Sequence, residues 1–354
     1  MGKGQVIVLT GASSGIGRAA ALRFAGEGAR LVLASRRGEV LEQLAAECRE
    51  RGGEAIAVPT DVTDWPAVQA LAEAAVARFG GIDVWVNDAA VSVFAPVTEV
   101  PLAEFRRVID VDLMGYVHGA RAALDVMIPR GSGVVINVSS IVGEVPQPYT
   151  AAYGMAKAAV RALGVSLRAE LRLQKLTEVH VATVLPPTVD TPFFRHSANH
   201  TGRRVQAMPP VYSVDKVAQA IVALARSPKD EVVIGGMGKA MVRRHRRTPR
   251  PVEAQMALMV EKTHLSPSEK APDTSGILFE PAADPTDATT TGGWAGQSRS
   301  AARKLIAGAI VATGVGVAAS RLVRERHDPR PASRRAGYGS RMRSTIPTRR
   351  SGPR

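Results

Sequence analysis

The stretch Thr10-Gly11-Ala12-Ser13-Ser14-Gly15-Ile16-Gly17 constrains this chain more than any other. It follows an apolar run, Val6-Ile7-Val8-Leu9, and opens a helical pattern carried by Ala19, Leu22, Phe24 and Ala25. The order is strand, glycine loop, helix. Glycine at 11 permits a sharp turn, and glycines at 15 and 17 let a ligand or a neighbouring backbone come close. The helix points free N–H groups and the positive end of its dipole above the loop. A phosphate or pyrophosphate suits that place, and the loop follows the first strand directly, as a dinucleotide site requires.

The rest of the first two thirds repeats this alternation. Strands are predicted at 5–9, 30–34, 54–58, 82–87, 133–138, 179–185 and 231–234, with helices near 15–27, 39–51, 65–79, 101–127, 151–174 and 214–226. Asp64 with Pro66, and Ser213, are helix-start signals. Val134-Val135-Ile136 and Val181-Ala182-Thr183-Val184-Leu185 are apolar without strict alternation, which suits a parallel sheet covered on both faces. The fold class expected is α/β, a doubly wound parallel sheet (Rossmann fold) in a single domain over 1–245. Residues 246–298 hold a short helical pattern at 252–263 and then a Pro-, Thr-, Asp- and Gly-rich stretch. That stretch reads as a flexible linker with little packed structure.

Charge separates the last part. Between Arg299 and Arg354 there are 14 Lys and Arg against 2 Asp and Glu, so the tail holds a net +12 of the chain's +14. The tail has one aromatic residue, Tyr338, so stacking platforms are absent and nucleic-acid binding is not expected. Within it Leu305–Ser320 is an uncharged run of sixteen residues bracketed by Arg303-Lys304 and Arg321. As a helix it spans about 24 Å, short of a bilayer core of about 30 Å, yet flanking arginines can snorkel. Membrane contact through 305–320 is the expectation, with the rest of the tail disordered. The lone cysteine, Cys48, excludes an internal disulfide framework and fits a reducing compartment. The run at 6–9 is too short for a secretory signal, so a cytoplasmic location is expected.

Chemistry gathers after the strand at 133–138. Ser139 and Ser140 lie at its C-terminal end, where open α/β sheets hold ligands. Tyr153 and Lys157 lie at i and i+4 on the next helix and share one face. A phenol is a poor acid–base group at neutral pH, and a neighbouring ammonium draws its pKa toward the working range.

With these residues the chain resembles the short-chain dehydrogenase/reductase family over about 5–240. The motifs are Thr10-Gly-x-x-x-Gly-x-Gly17, Asp61-Val62, Asn87-x-Ala89, Ser140, Tyr153-x-x-x-Lys157, and Pro186 to Thr191. Ser140 lies thirteen residues before Tyr153, the family's spacing, so it is preferred to Ser139. The resemblance implies that Tyr153 donates or accepts a proton while hydride moves to or from nicotinamide. Lys157 would lower the tyrosine pKa and bond the ribose, and Ser140 would polarise the substrate oxygen. Gly11, Ser13, Ser14, Gly15, Ile16 and Gly17 would hold the cofactor, with Asp61 and Val62 at the adenine, Asn87 supporting the sheet and ribose region beside Ala89, and Pro186, Thr188 and Thr191 at the nicotinamide end. A homo-oligomer is expected, and no metal.

Three positions depart from the family pattern. Asp88 and Ala90 replace the usual Asn and Gly, Pro187 stands where Gly often follows Pro186, and Asp112 occupies the place of a fourth catalytic residue, normally Asn. That Asn acts mainly through its backbone carbonyl, which Asp keeps. The Asp112 carboxylate is expected to compete for Lys157. These changes sustain a second reading, a nucleotide-binding sensor or scaffold of the same fold with little turnover. Strand two ends Leu33-Ala34-Ser35-Arg36-Arg37 without an acid, so Arg36 and Arg37 favour NADP over NAD. Val93, Phe94, Val142, Val145, Pro146, Phe193 and Phe194 are the expected lining of a substrate pocket, apolar and suited to a lipophilic ketone, aldehyde or alcohol.

Overall fold

The computed structural model describes residues 4–294. The tail, and with it the run at 305–320 on which the membrane reading rests, lies outside the described residues. Among those described, no helix is long and apolar enough to cross a membrane.

The first half runs β1 (Val6–Thr10), α1 (Gly15–Ala25), β2 (Arg30–Ser35), α2 (Gly38–Glu50), β3 (Glu54–Pro59), α3 (Trp65–Phe79) and β4 (Val84–Asn87). A short β5 (Val93–Phe94) precedes α4 (Leu102–Ile109), which passes through a π turn at Asp110–Met114 into α5 (Gly115–Arg130). Then come β6 (Gly133–Val138), α6 (Ala151–Leu173), β7 (Val179–Leu185), α7 (Phe193–His196), β8 (Ala198–Asn199) and β9 (Arg203–Val205). The described part closes with α8 (Val214–Arg226), β10 (Glu231–Val233), α9 (Gly236–Arg247), α10 (Pro249–Met259) and β11 (Leu265–Lys270). Asp64 and Ser213 take the N-cap positions of α3 and α8, though neither side chain makes a capping bond.

Seven strands pair in the order β10-β7-β6-β4-β1-β2-β3, all parallel. All seven are the strands expected from the sequence. The alternation inside β1 explains why these strands read as continuous apolar runs. Ile7 and Leu9 join one buried layer with α1 and α8, while Val6 and Val8 join the opposite layer with α3 and α5. Both faces are dry, so both phases of the period-2 pattern must be apolar.

The order reverses between β1 and β4, the switch point at which a doubly wound sheet opens a crevice. The loop after β1 and the loop after β4 meet there. Gly11 has φ +70°, and a Cβ on it would lie 2.7 Å from the Ala89 nitrogen. A side chain at Gly17 would run into the Gly11 carbonyl oxygen. Glycine is therefore required at both positions for the two loops to close up.

The expected boundary at 245 falls inside α9, and packing continues past it. Val242, Val252, Met256 and Val260 form one buried cluster with Ile141, Val145 and Met208. The reading of 266–298 as a loose linker is corrected as far as residue 294. β11 pairs with β9, Thr274 bridges Asn199, and Leu278 and Trp294 are buried. The composition is polar because most of this stretch docks by backbone hydrogen bonds, which composition does not register.

Candidate active site

β6 ends at Val138, and the next two residues divide the labour. The Ser139 hydroxyl donates 2.7 Å to the Lys157 carbonyl and ties the strand end to α6, whereas Ser140 faces the crevice. α6 brings Tyr153 and Lys157 to the same wall. Tyr153 packs against Phe193, their ring centres 5.5 Å apart. Lys157 is 1% exposed, so every donor on its ammonium needs a partner inside the protein. Nζ donates 2.9 Å to Tyr116 Oη and 3.3 Å to the Val138 carbonyl. It also lies 3.2 Å from Oδ2 of fully buried Asp112. That contact is an ion pair rather than an aligned hydrogen bond, for Oδ2 has no hydrogen-bond partner among the described residues.

Asp112 sits in the π turn between α4 and α5, an irregularity frequent at functional sites. Its Oδ1 accepts the Val91 N–H at 2.8 Å, holding the loop after β4. Burial pushes the Asp112 carboxyl up to about 6, against the pull of Lys157 and the Val91 N–H. Burial also moves the Tyr153 phenol well above its ordinary value; the Asp112 and Asp88 charges add to this, and the Ser140 hydroxyl works the other way. The ammonium lies 4.3 Å from the Tyr116 ring centre and 5.5 Å from that of Tyr153, so it is drawn to the Asp112 side. Burial pushes the Asp88 carboxyl up to about 8, against the pull of Lys157 and the Gly17 N–H.

One continuous cavity joins this wall to the glycine loop. Gly11, Ser13, Ser14, Gly15, Ile16, Arg36, Arg37, Asp61, Val62, Ala89, Ser140, Tyr153, Lys157, Pro186, Thr188 and Thr191 all line it. Three expected site residues do not. Gly17 works as a spacer, and Asp112 lies behind Lys157. Asn87 has its amide bonded to Asn137 and its carbonyl to the Trp85 indole, so it braces the sheet. Of the expected substrate lining, Phe94, Val142, Phe193 and Phe194 face the cavity, while Val93, Val145 and Pro146 do not. Val145 is turned instead into the cluster under α9 and α10.

Their places are taken by residues that sequence reasoning missed. Met208, Met237, Met241, Met256 and Met259 line the far end of the cavity with His264. The i, i+4 spacing of Met237 and Met241, and the i, i+3 spacing of Met256 and Met259, were the available signals. The His264 Nδ1–H donates to the Gln206 carbonyl, and burial pushes the His264 pKa down to about 4, so the ring is neutral at physiological pH. Tyr116 was missed too, and only its contacts reveal its part. Cys48 is inert, its thiol pushed up to about 12 by burial.

The residues at the glycine loop fit a dinucleotide. Ser14 gives α1 no side-chain cap, and Gly15 and Ile16 of the first turn line the cavity, the Gly15 N–H being held by the Thr289 carbonyl at 2.9 Å. Arg37 holds Ser13 Oγ with Nη2 at 3.3 Å, but its buried Nη1 has no partner among the described residues. An orphaned buried guanidinium nitrogen is costly unless an anion takes it.

The fold, the glycine loop and the Ser–Tyr–Lys wall define a short-chain dehydrogenase/reductase, and the family model for short chain dehydrogenase matches residues 5–202. The chain belongs to that family and is an oxidoreductase acting on CH–OH or carbonyl groups with a nicotinamide cofactor. It is 33% identical over 329 residues to the uncharacterized oxidoreductase YxnA of Bacillus subtilis, covering 91% of this chain and 92% of that one. It is 38% identical over 192 residues to 3beta-hydroxysteroid dehydrogenase 1 of Eggerthella lenta, covering 54% and 72%. A short chain dehydrogenase/reductase of Burkholderia phymatum, solved with NAD, superposes with a TM-score of 0.64 at 26% identity, covering 71% of this chain and 96% of that one. An alcohol dehydrogenase of Thermococcus sibiricus, solved with 5-hydroxy-NADP, gives 0.57 at 30%, covering 65% and 95%.

Proposed function

We propose that this protein is an NADP-dependent oxidoreductase that reduces a carbonyl, or oxidises a secondary alcohol, on a bulky and mainly apolar molecule. The observation that carries the reading is the cavity itself. Ser140 and Tyr153 stand on its wall between an arginine-lined end and a methionine-lined end. When bound, nicotinamide supplies or accepts the hydride. Ser140 orients the substrate oxygen, and Tyr153 gives it a proton in reduction or takes one in oxidation. Lys157 holds positive charge beside the phenol.

The far end of the cavity supports an apolar substrate with an irregular outline. Methionine side chains are unbranched and polarisable, and they adapt to such shapes. Likeness to a hydroxysteroid dehydrogenase supports an alicyclic alcohol or ketone as the class. The test is a panel of alicyclic, aryl and linear ketones and alcohols offered with NADPH and NADH, followed by nicotinamide absorbance. Turnover of the alicyclic members is expected. The Asp112–Lys157 pair favours the second reading, a sensor or scaffold, which holds if both cofactors bind and no member of the panel turns over.

NADPH is expected to bind about 10- to 100-fold tighter than NADH, the range of one charge-assisted contact. Arg37 carries this through Nη1, which has no partner among the described residues, and Arg37→Gln should bring the two affinities together. Equal affinities in the unmodified protein, measured by titration, defeat the NADP assignment.

For location, the reading is a cytoplasmic catalytic domain with membrane contact through 305–320, supported by the uncharged run and its flanking arginines. Cells making the full chain should show it in the membrane fraction at low salt, and a version ending at Ser298 should stay soluble. Both forms wholly soluble would end the idea.

A further inference from the structure

We infer that residues 274–294, which lie beyond the part matched by the family model, belong to the dinucleotide site as a clasp. The clasp walls the adenosine end of the groove, fixes Arg36, and opens for cofactor exchange. The inference rests on the reading of the groove as a nicotinamide-dinucleotide site.

The segment is fastened at both ends to elements that border the groove. At its start Thr274 and Asn199 exchange backbone bonds of 3.1 and 2.8 Å, and the Ile277 N–H donates 3.0 Å to the His196 carbonyl. At its end Asp190 Oδ1 accepts the N–H groups of Gly292 and Trp294 at 3.0 and 2.8 Å. The Trp294 indole N–H donates 3.0 Å to the Thr191 carbonyl.

Between these anchors the segment meets Arg36 with neutral acceptors, while Asp287 Oδ2 lies 3.6 Å from Nε2 of His196 on the cavity wall. The carbonyls of Ile277, Leu278 and Phe279 accept from the two Nη atoms of Arg36 at 2.6, 3.3 and 2.8 Å. The Leu278 carbonyl also accepts from Arg107 Nε at 2.8 Å. Further along, the Thr289 carbonyl takes the Gly15 N–H at 2.9 Å, on the glycine loop itself. Arg36 is thus the latch, and the orphaned Nη1 belongs to Arg37. The two arginines that the sequence presents as equivalent have different tasks.

The segment walls the groove and does not fill it. Ile277, Pro281 and Ala282 line the same cavity as Ser13 and Arg37, which stays continuous as far as Tyr153. A ligand in that groove therefore lies under the clasp. The segment is held by backbone hydrogen bonds, by the buried side chains of Leu278 and Trp294, and by the Ser275–Glu104 and Asp287–His196 contacts, with half-buried and exposed chain between Leu278 and Trp294. Units with few buried contacts open at the low end of the stability range. A ligand that enters or leaves the groove must pass this segment, so cofactor exchange and clasp opening are coupled.

The full chain tests this without any substitution. Glu280 is exposed on the clasp, so a protease that cuts after glutamate should cleave there. Saturating NADPH is expected to slow that cut at least tenfold relative to cuts at other glutamates. Gly276→Val and Gly292→Val then loosen the clasp from either end, because a Cβ would meet the carbonyl oxygens of His196 and Thr191 respectively. Stopped-flow fluorescence should show NADPH leaving these variants at least tenfold faster, with association changed much less. Cleavage unaffected by NADPH overturns the proposal. So do variants that are cut faster yet release NADPH at the wild-type rate, or that bind it more tightly. If a variant fails to fold, the protection measured on the unmodified chain still decides. A wild-type chain that binds neither NADPH nor NADH overturns the dinucleotide reading instead.

Discussion

Tyr153→Phe is expected to lower kcat by about 10²- to 10⁴-fold, the range that a positioned proton donor supplies, while NADPH affinity stays within about twofold. The substitution removes one oxygen and keeps the ring, so packing on Phe193 survives. Glycine loop, arginines and clasp are untouched. A rate loss without a binding loss separates the proton donor from the cofactor cradle, and cofactor titration beside steady-state kinetics measures both. Retention of kcat within about tenfold would show that another group supplies the proton. The raised pKa of Tyr153 also gives a direction. At neutral pH the phenol keeps its proton and is ready to give it to a carbonyl. Oxidation needs the phenolate, so its rate should climb steadily with pH while reduction stays level or falls.

The sheet was legible because its signal is local. Each strand is a short apolar run closed by a glycine or polar turn, and burial of both faces removes the ambiguity of alternation. Tyr153, Lys157 and Ser140 were legible because a helix turn and a strand end fix their positions within the sequence itself. Other parts depend on contacts that sequence spacing does not encode. Thr289 touches Gly15 across more than 270 residues through a carbonyl that every residue possesses. Nothing in Pro-Thr-Asp-Ala-Thr-Thr distinguishes a docked segment from a loose one. Arg36 and Arg37 are neighbours with the same chemistry, and only what comes to rest on each separates latch from ligand contact. Val145 follows Ser140 closely in sequence, yet it turns under α9 and α10, elements that bring in Met237, Met241, Met256 and Met259. Tyr116 occupies an ordinary helical position, and its phenol matters only because Lys157 lies 2.9 Å away.

Asp112→Asn should shift the pH profile of alcohol oxidation about 1 to 2 units toward acid, since a single nearby charge moves a buried group by that order. Below the plateau this is a gain of about 10- to 100-fold at fixed pH. The cause is local. An amide oxygen can still accept from Val91, but the amide nitrogen then faces Lys157, a donor against a donor. The ammonium is released toward Tyr153, and a negative charge that had raised the tyrosine pKa is gone. The variant should also be less stable, because removing one partner of a buried pair costs about 3–5 kcal/mol. That cost has its own pH dependence. The folded Asp112 pKa, about 6, lies above its ordinary 3.8. Its contribution to stability is full below the ordinary carboxylate range and is lost as pH rises through about 6. The asparagine variant lacks this slope, so the gap in unfolding free energy between wild type and variant should narrow from pH 4 to pH 7. Superimposable pH–rate profiles would mean that Asp112 does not act on Tyr153 at all. A large rate loss at every pH would give the carboxylate a necessary role of its own, holding Lys157 where the reaction needs it.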